Sequence, residues 1–170
     1  EINFFRLNKN TKGPAETIGV LLNSISKNNL DEKVLVLDGD TFYKKDIIKI
    51  SLKLNQSNVF YSKNYEKFAR YSYIKINKKS EIIDIKKKIK ISHNANTGAY
   101  FFRNLSELHF YLKKGLKENK KLFVSEIYKK MINAKIFCKS HEIKNSDIVE
   151  IGTPESLKKF SIVNPQEKKR

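Results

Sequence analysis

Residues 34–43 read Val-Leu-Val-Leu-Asp-Gly-Asp-Thr-Phe-Tyr, and no other stretch of the chain limits the fold as strongly. The unbroken apolar run predicts a strand buried on both faces, as in a parallel sheet covered by helices. It ends in two carboxylates, Asp38 and Asp40, with Gly39 between them. In open α/β sheets, ligands gather at the carboxyl ends of the strands. Acids there are placed to hold a hard cation such as Mg²⁺, which takes one or two carboxylates plus the oxygens of a phosphorylated substrate. Gly39 lets the backbone approach that ligand closely. An ordinary strand closing in an Asp-Gly turn accounts for the same residues equally well.

Around this segment the hydrophobic spacing predicts alternating elements. Strands are expected at Ile2–Leu7, 34–37, Asn58–Tyr61, Tyr71–Ile76, Glu81–Ile85, Thr97–Phe102 and Lys135–Cys138. Helices are expected at Pro14–Asn28, Lys45–Leu54, Leu105–Leu116, Ser125–Ile132 and Pro154–Phe160. In the first, Ile18, Leu21, Leu22 and Ile25 share a face, and Pro14 is tolerated in the opening turn. Alternation of this kind predicts a layered α/β domain with a mixed, mostly parallel sheet. One domain is expected over residues 1–163, followed by a polar, flexible tail at 164–170.

Composition excludes several classes. A chain of 170 residues that is 39% hydrophobic is long and apolar enough to bury a core. No apolar run approaches the ~20 residues that span a bilayer, and no secretory leader opens the chain. Cys138 is the single cysteine, so neither an internal disulfide framework nor a multi-cysteine metal site is available. His93, His109 and His141 have no partners at metal-ligand spacing. These features are those expected of a soluble cytoplasmic protein without a membrane partner. The net charge of +17 invites a nucleic-acid reading. Arginine, the residue of base readout, occurs only at Arg6, Arg70, Arg103 and Arg170, while lysine is spread along the whole chain. No nucleic-acid partner is therefore expected. The densest run, Lys86-Lys87-Lys88-Ile89-Lys90, reads as a solvated strand edge or as a grip on a phosphate.

Three further segments gain meaning beside the acidic strand end. Asn10-Thr-Lys-Gly-Pro-Ala-Glu-Thr17 is a turn entering a helix, whose first amides attract anions and whose Gly13 gives unhindered access; a plain N-cap explains it too. Asn94-Ala-Asn-Thr-Gly-Ala-Tyr-Phe-Phe102 places a small polar corner before an aromatic strand, suited to hydrogen-bonding a sugar hydroxyl or simply to turning into the core. In Val149-Glu-Ile-Gly-Thr-Pro-Glu-Ser-Leu157, Thr153 caps a helix that starts at Pro154. That cap does not account for Glu150 beside a glycine turn.

Taken together, the four segments resemble the bacterial nucleotidyltransferases that activate sugar 1-phosphates, the nucleotide-sugar pyrophosphorylases. The resemblance lies in their order: a glycine segment entering a helix (Thr11–Thr17), a strand ending Gly-Asp (Leu37–Asp40), a lysine strand before an Asn-Thr-Gly corner (Lys86–Gly98), and an acid-x-Gly-Thr-Pro-Glu segment (Glu150–Glu155). It covers nearly the whole chain and implies the Rossmann-like nucleotide-diphospho-sugar transferase fold. It also implies a reaction in which a nucleoside triphosphate and a phosphorylated sugar are joined and pyrophosphate leaves. Asp40 would bind Mg²⁺, with Glu150, where the family usually has aspartate, as the second metal ligand. Asp38 and Gly13 would lie on the nucleotide side. Lys88 matches the lysine of a Glu-Lys-Pro segment that grips the sugar phosphate, although both neighbours differ here and Lys86 is an alternative counterpart. Asn96, Thr97, Gly98 and Glu126 would line the acceptor side. Surface-polysaccharide precursor synthesis is the setting the family suggests.

The family also opens with a strand and a glycine-rich loop that wraps the triphosphate, and no two of the six glycines here form such a loop. The chain begins at Glu1 and its only methionine is Met131. We therefore expect the loop to lie upstream, in a longer protein, and these residues alone to be a poor catalyst. The rival reading is a glycosyltransferase that uses Asp38-Gly39-Asp40 as an Asp-x-Asp metal element. A non-catalytic nucleotide-binding paralogue is a third. The base, the acceptor and the oligomeric state are open at this level.

Overall fold

The computed structural model describes residues 4–24, 30–119 and 121–163. Within them the chain runs α1 (Pro14–Ser24), β1 (Val34–Leu37), β2 (Thr41–Tyr43), α2 (Ile47–Leu52), β3 (Asn58–Lys63), β4 (Ser72–Ile76), β5 (Ile82–Lys87) and β6 (Asn94–Phe102). It continues through α3 (Leu105–Glu118), α4 (Val124–Asn133), β7 (Lys139–Glu142), β8 (Ile148–Glu150) and α5 (Pro154–Val163). The local signals hold well at the helices. Asp46 and Asn104 cap α2 and α3 by accepting the Lys49 and Glu107 amides at 2.8 Å. At α5, the Thr153 hydroxyl accepts the Ser156 amide and the Ser156 hydroxyl accepts the Thr153 amide, each at 3.1 Å.

Several expectations are corrected. Residues 4–7 are irregular rather than strand, and the start of the strand expected at Ile2 lies outside the described residues. So do residues 25–28 of the first expected helix and the tail at 164–170. The strand expected at Lys135–Cys138 begins only at Lys139, because α4 is stopped by a turn with Lys135 at φ 62° and the chain must first cross to the sheet. The corner at Asn96–Gly98 is no turn; it lies inside β6, whose nine residues are all buried.

The sheet is mostly antiparallel, not mostly parallel. Its order is β5-β4-β6-β3-β7, with β1 also on β6. Among the described residues, only the β3–β7 pair is parallel. Alternation misled because β4, β5 and β6 follow one another without intervening helices, and short connections join strands that run in opposite directions. β1 and β3 are linked through α2 and do run the same way, but each pairs with β6 rather than with the other. β2 and β8 form a separate two-stranded ribbon, Thr41↔Glu150 to Tyr43↔Ile148.

β6 is the spine. One of its edges carries β3. The other is shared: β1 takes residues 99–102, and β4 joins at Ala95. The two strands part at Gly98. Among the described residues β1 pairs with β6 alone, and its apolar run is only half-buried, with Leu37 exposed. Its alternation still serves both layers. Val34 and Val36 pack on the larger core, built with α1, α3 and α4, while Leu35 packs on the smaller one with Ile47, Phe60 and Phe101.

Candidate functional site

A cavity of about 590 Å³ opens where β1 and β4 separate along β6. Such a point, where neighbouring strands diverge, leaves a crevice at the strand ends. Gly98 forms its floor with φ +83°, a conformation that L side chains rarely adopt. The Asp38 amide donates to the Gly98 carbonyl at 2.8 Å. A Cβ on Gly98 would lie 2.7 Å from Asp38 Oδ2, so the carboxylate occupies the space that the missing side chain leaves.

The second acid is held by the β2–β8 ribbon. The Ile151 amide donates to the Asp40 carbonyl at 2.9 Å, and Thr41 pairs with Glu150. A Cβ on Gly152 would lie 2.6 Å from Asp40 Oδ2. Asp38, Asp40 and Glu150 therefore line one cavity although Glu150 is remote in sequence. Burial, and then the neighbouring Asp40 carboxylate, raise the pKa of Asp38. Tyr43, whose hydroxyl donates to the Thr97 carbonyl, is pushed up to about 12, chiefly by burial, with the three carboxylates adding to it. The Tyr71 pKa is raised as well, by burial and then by the neighbouring Glu150 carboxylate. None of the ion pairs among the described residues uses Asp38, Asp40 or Glu150.

Basic groups reach the cavity from the β4–β5 hairpin: Arg70, Lys87 and Lys88. Lys88 stands at φ 52° just beyond β5, its amide donating to the Tyr71 carbonyl at 2.8 Å. A non-glycine residue held in this region is found preferentially at functional sites. Lys86, the alternative counterpart, is exposed and does not line the cavity. Lys87 does, with its Nζ 3.0 Å from the centroid of the Phe123 ring.

Asn96, Thr97 and Gly98 line the cavity as well, but much of their hydrogen bonding is internal. Asn96 Nδ2 donates to the Phe60 carbonyl at 3.1 Å, and its Oδ1 accepts the Gly98 amide at 2.9 Å, which pins the kink in β6. Gly13 is not among the lining residues; a Cβ there would lie 3.2 Å from the Leu122 carbonyl, and Pro14 takes its place at the wall. Glu126 is absent from the wall too, its carboxylate accepting the Phe123 amide at 2.8 Å as a helix cap. Residues that sequence reasoning missed include Tyr43, Arg70, Tyr71, Lys87 and Ser125. A run of lysines and scattered tyrosines carries no spacing signal that separates these from surface residues.

An all-oxygen donor set with no cation of its own suits a hard divalent ion. Among the described residues, no group of three or more His, Cys, Asp or Glu side chains is arranged to hold a metal alone. A Mg²⁺ held by one or two carboxylates and completed by substrate phosphates fits that donor set. Among the described residues, no helix is long and apolar enough to cross a membrane.

The sequence matches the family model "Nucleotidyl transferase" over residues 3–163. Among solved structures, the fold is similar to a nucleoside-diphosphate-sugar pyrophosphorylase from Vibrio cholerae RC9, at TM-score 0.74 and 20% identity, over 91% of this chain and 66% of that one. It is similar to a putative glucose-1-phosphate thymidylyltransferase from Bacillus anthracis at TM-score 0.73 and 17% identity, covering 94% and 64%. It is also similar to the inositol-1-phosphate CTP transferase from T. maritima at TM-score 0.67 and 19% identity, covering 92% and 63%. The chain thus spans 63–66% of the length of these structures. No curated protein sequence matches it.

Proposed function

The chain belongs to the nucleotidyl transferase family, and on that premise we propose that it serves the transfer of a nucleotidyl group from a nucleoside triphosphate to a phosphorylated acceptor. The convergence of Asp38, Asp40 and Glu150 with Lys88 on one cavity is the observation that carries the reading. An oxygen of the acceptor phosphate forms a bond to the α-phosphorus, the bond from that phosphorus to the α–β bridging oxygen breaks, and pyrophosphate leaves in line. Such a reaction asks the protein mainly for positioning and for compensation of charge.

Asp40 and Glu150 would hold Mg²⁺, which when bound neutralises charge on the phosphates. Tyr71 stands beside the Glu150 carboxylate on the cavity wall, and the Tyr43 hydroxyl secures the Thr97 backbone. Lys88 grips the acceptor phosphate from a backbone conformation that turns it out of the line of β5. Asp38 and the Gly13–Pro14 turn lie toward the nucleotide, and Asn96, Thr97 and Gly98 shape the acceptor wall. A sugar 1-phosphate destined for surface polysaccharide is the acceptor we favour, and the acceptors named for the similar structures, glucose 1-phosphate and inositol 1-phosphate, fit the same chemistry.

The test is pyrophosphate release by the product of the full open reading frame with each nucleoside triphosphate, Mg²⁺ and a panel of phosphorylated acceptors. Release is expected to need both substrates and to fall at least ~100-fold in Asp40→Asn. Metal-dependent cleavage of a nucleotide sugar in place of pyrophosphate release would shift the assignment to a glycosyltransferase using the Asp38-Gly39-Asp40 element.

A further inference from the structure

We propose that the N-terminus of α4, with Lys87 and Ser125, forms an anion subsite within the cavity, and that the acceptor carries a second anionic group besides the phosphate that reacts. The acceptor part of this inference rests on the nucleotidyl-transfer reading; the subsite itself rests on geometry. Phe123, Val124 and Ser125, at the start of the ten-residue α4, line the cavity together with Lys87 and Ser72, which face each other across the β4–β5 pair. The first amides of a helix have no partner within it and favour negative charge. Glu126 answers only the Phe123 amide, at 2.8 Å.

Two independent features mark this end of α4. Ser125 is 2% exposed, and its Oγ lies near the Tyr100 hydroxyl yet has no partner at hydrogen-bond geometry. A buried hydroxyl in that state can donate to a group that enters beside it. The Lys87 ammonium is held over the face of Phe123, which attracts the cation but leaves its N–H donors largely unused. The charged groups near Lys87 are Lys88, Lys121 and Glu126, three ammonium groups in all against one carboxylate. Burial lowers the pKa of Lys87, Glu126 partly restores it, and the two other lysines lower it again. An anion would relieve both the desolvation and the repulsion. It would find no welcome at the Asp38, Asp40 and Glu150 cluster in the same cavity, so the α4 end is where it settles. With Lys88 engaged by the reacting phosphate, Lys87 remains for a carboxylate or a second phosphate elsewhere on the acceptor.

Calorimetric titration of the full chain with Mg²⁺ and no nucleotide tests this, using a hexose 1-phosphate, the matching hexuronic acid 1-phosphate and the hexose 1,6-bisphosphate. At least one of the two doubly anionic ligands is expected to bind tenfold or more tighter than the hexose 1-phosphate, and the tighter of them tells carboxylate from phosphate. Lys87→Ala and Ser125→Ala are expected to remove that advantage, and Lys87→Arg to keep it, which separates the charge from simple misfolding. Equal affinity for all three ligands, or an advantage that survives Lys87→Ala, overturns the proposal. If no sugar phosphate binds, the transfer reading fails and inorganic phosphate decides the subsite: Lys87-dependent binding supports it, and none overturns it.

Discussion

Replacing Gly98 by alanine is the sharpest test of how the site is built. The substitution asks an L-residue to adopt φ +83°, which costs about 1–2 kcal/mol. The new methyl would also lie 2.7 Å from Asp38 Oδ2 and 2.8 Å from Asp38 Cβ. Rotating the carboxylate relieves the first contact but not the second, because Cβ moves only with the backbone. That backbone is tied to the same residue, since the Asp38 amide donates to the Gly98 carbonyl at 2.8 Å. β1 must therefore shift along β6, an overpacking cost of about 1–3 kcal/mol. The total, about 2–5 kcal/mol, corresponds to a loss of roughly 5–20 °C in melting temperature for a chain of this size. Gly39→Ala is the control: it lies one residue from Asp38 and Asp40, yet a Cβ there meets nothing within 4 Å, so it should stay within about 0.5 kcal/mol of the parent. Thermal melts followed by far-UV circular dichroism give both numbers. If Gly98→Ala melts within about 2 °C of the parent, or Gly39→Ala loses as much, then β1 and β6 are not locked at this point and the crevice is not formed as described.

Tyr43→Phe removes the donor to the Thr97 carbonyl, and about 1–2 kcal/mol should disappear as a lower urea midpoint with an unchanged slope. An unaltered midpoint would mean that this hydroxyl supports nothing. Asp38 has a folded-state pKa above its unfolded value, so its ionisation opposes folding: the fold is favoured below the ordinary aspartate value of about 3.9 and loses that contribution as pH rises through the raised one. Asp38→Asn should therefore raise the melting temperature at pH 7 and bring no gain at pH 3, and a gain of equal size at both would refute the burial argument. Chelation of divalent cations should stop pyrophosphate release while leaving the melt unchanged. Glu150→Gln should raise the Mg²⁺ concentration needed for half-maximal release about tenfold or more, and an unchanged requirement would remove Glu150 from the metal.

Local grammar was legible in the chain from the start. The apolar run 34–37, the periodic faces of α3 and α4, the cap at Thr153, and the carboxylates at a strand end all follow from interactions between residues a few positions apart. The order of four motifs was enough to place the chain in its family, because each motif is itself local. Strand direction was not legible. Whether β1 lies beside β3 or both lie against β6 depends on which edges β6 leaves free, and no local period encodes that. The ribbon of β2 and β8 was invisible for a related reason: three residues carry no alternation, and Thr41 and Glu150 are far apart in sequence. Side-chain partners in the site were equally illegible: the Glu126 carboxylate caps its own helix, and the Asn96 amide bonds the strand beside it while the residue still lines the cavity. What the sequence by itself determined was the kinds of element and the kinds of charge. Which carboxylates meet, and which lysine faces the crevice, was decided by tertiary structure, since the pairing of distant edges sets those distances and only the burial that follows shifts a pKa.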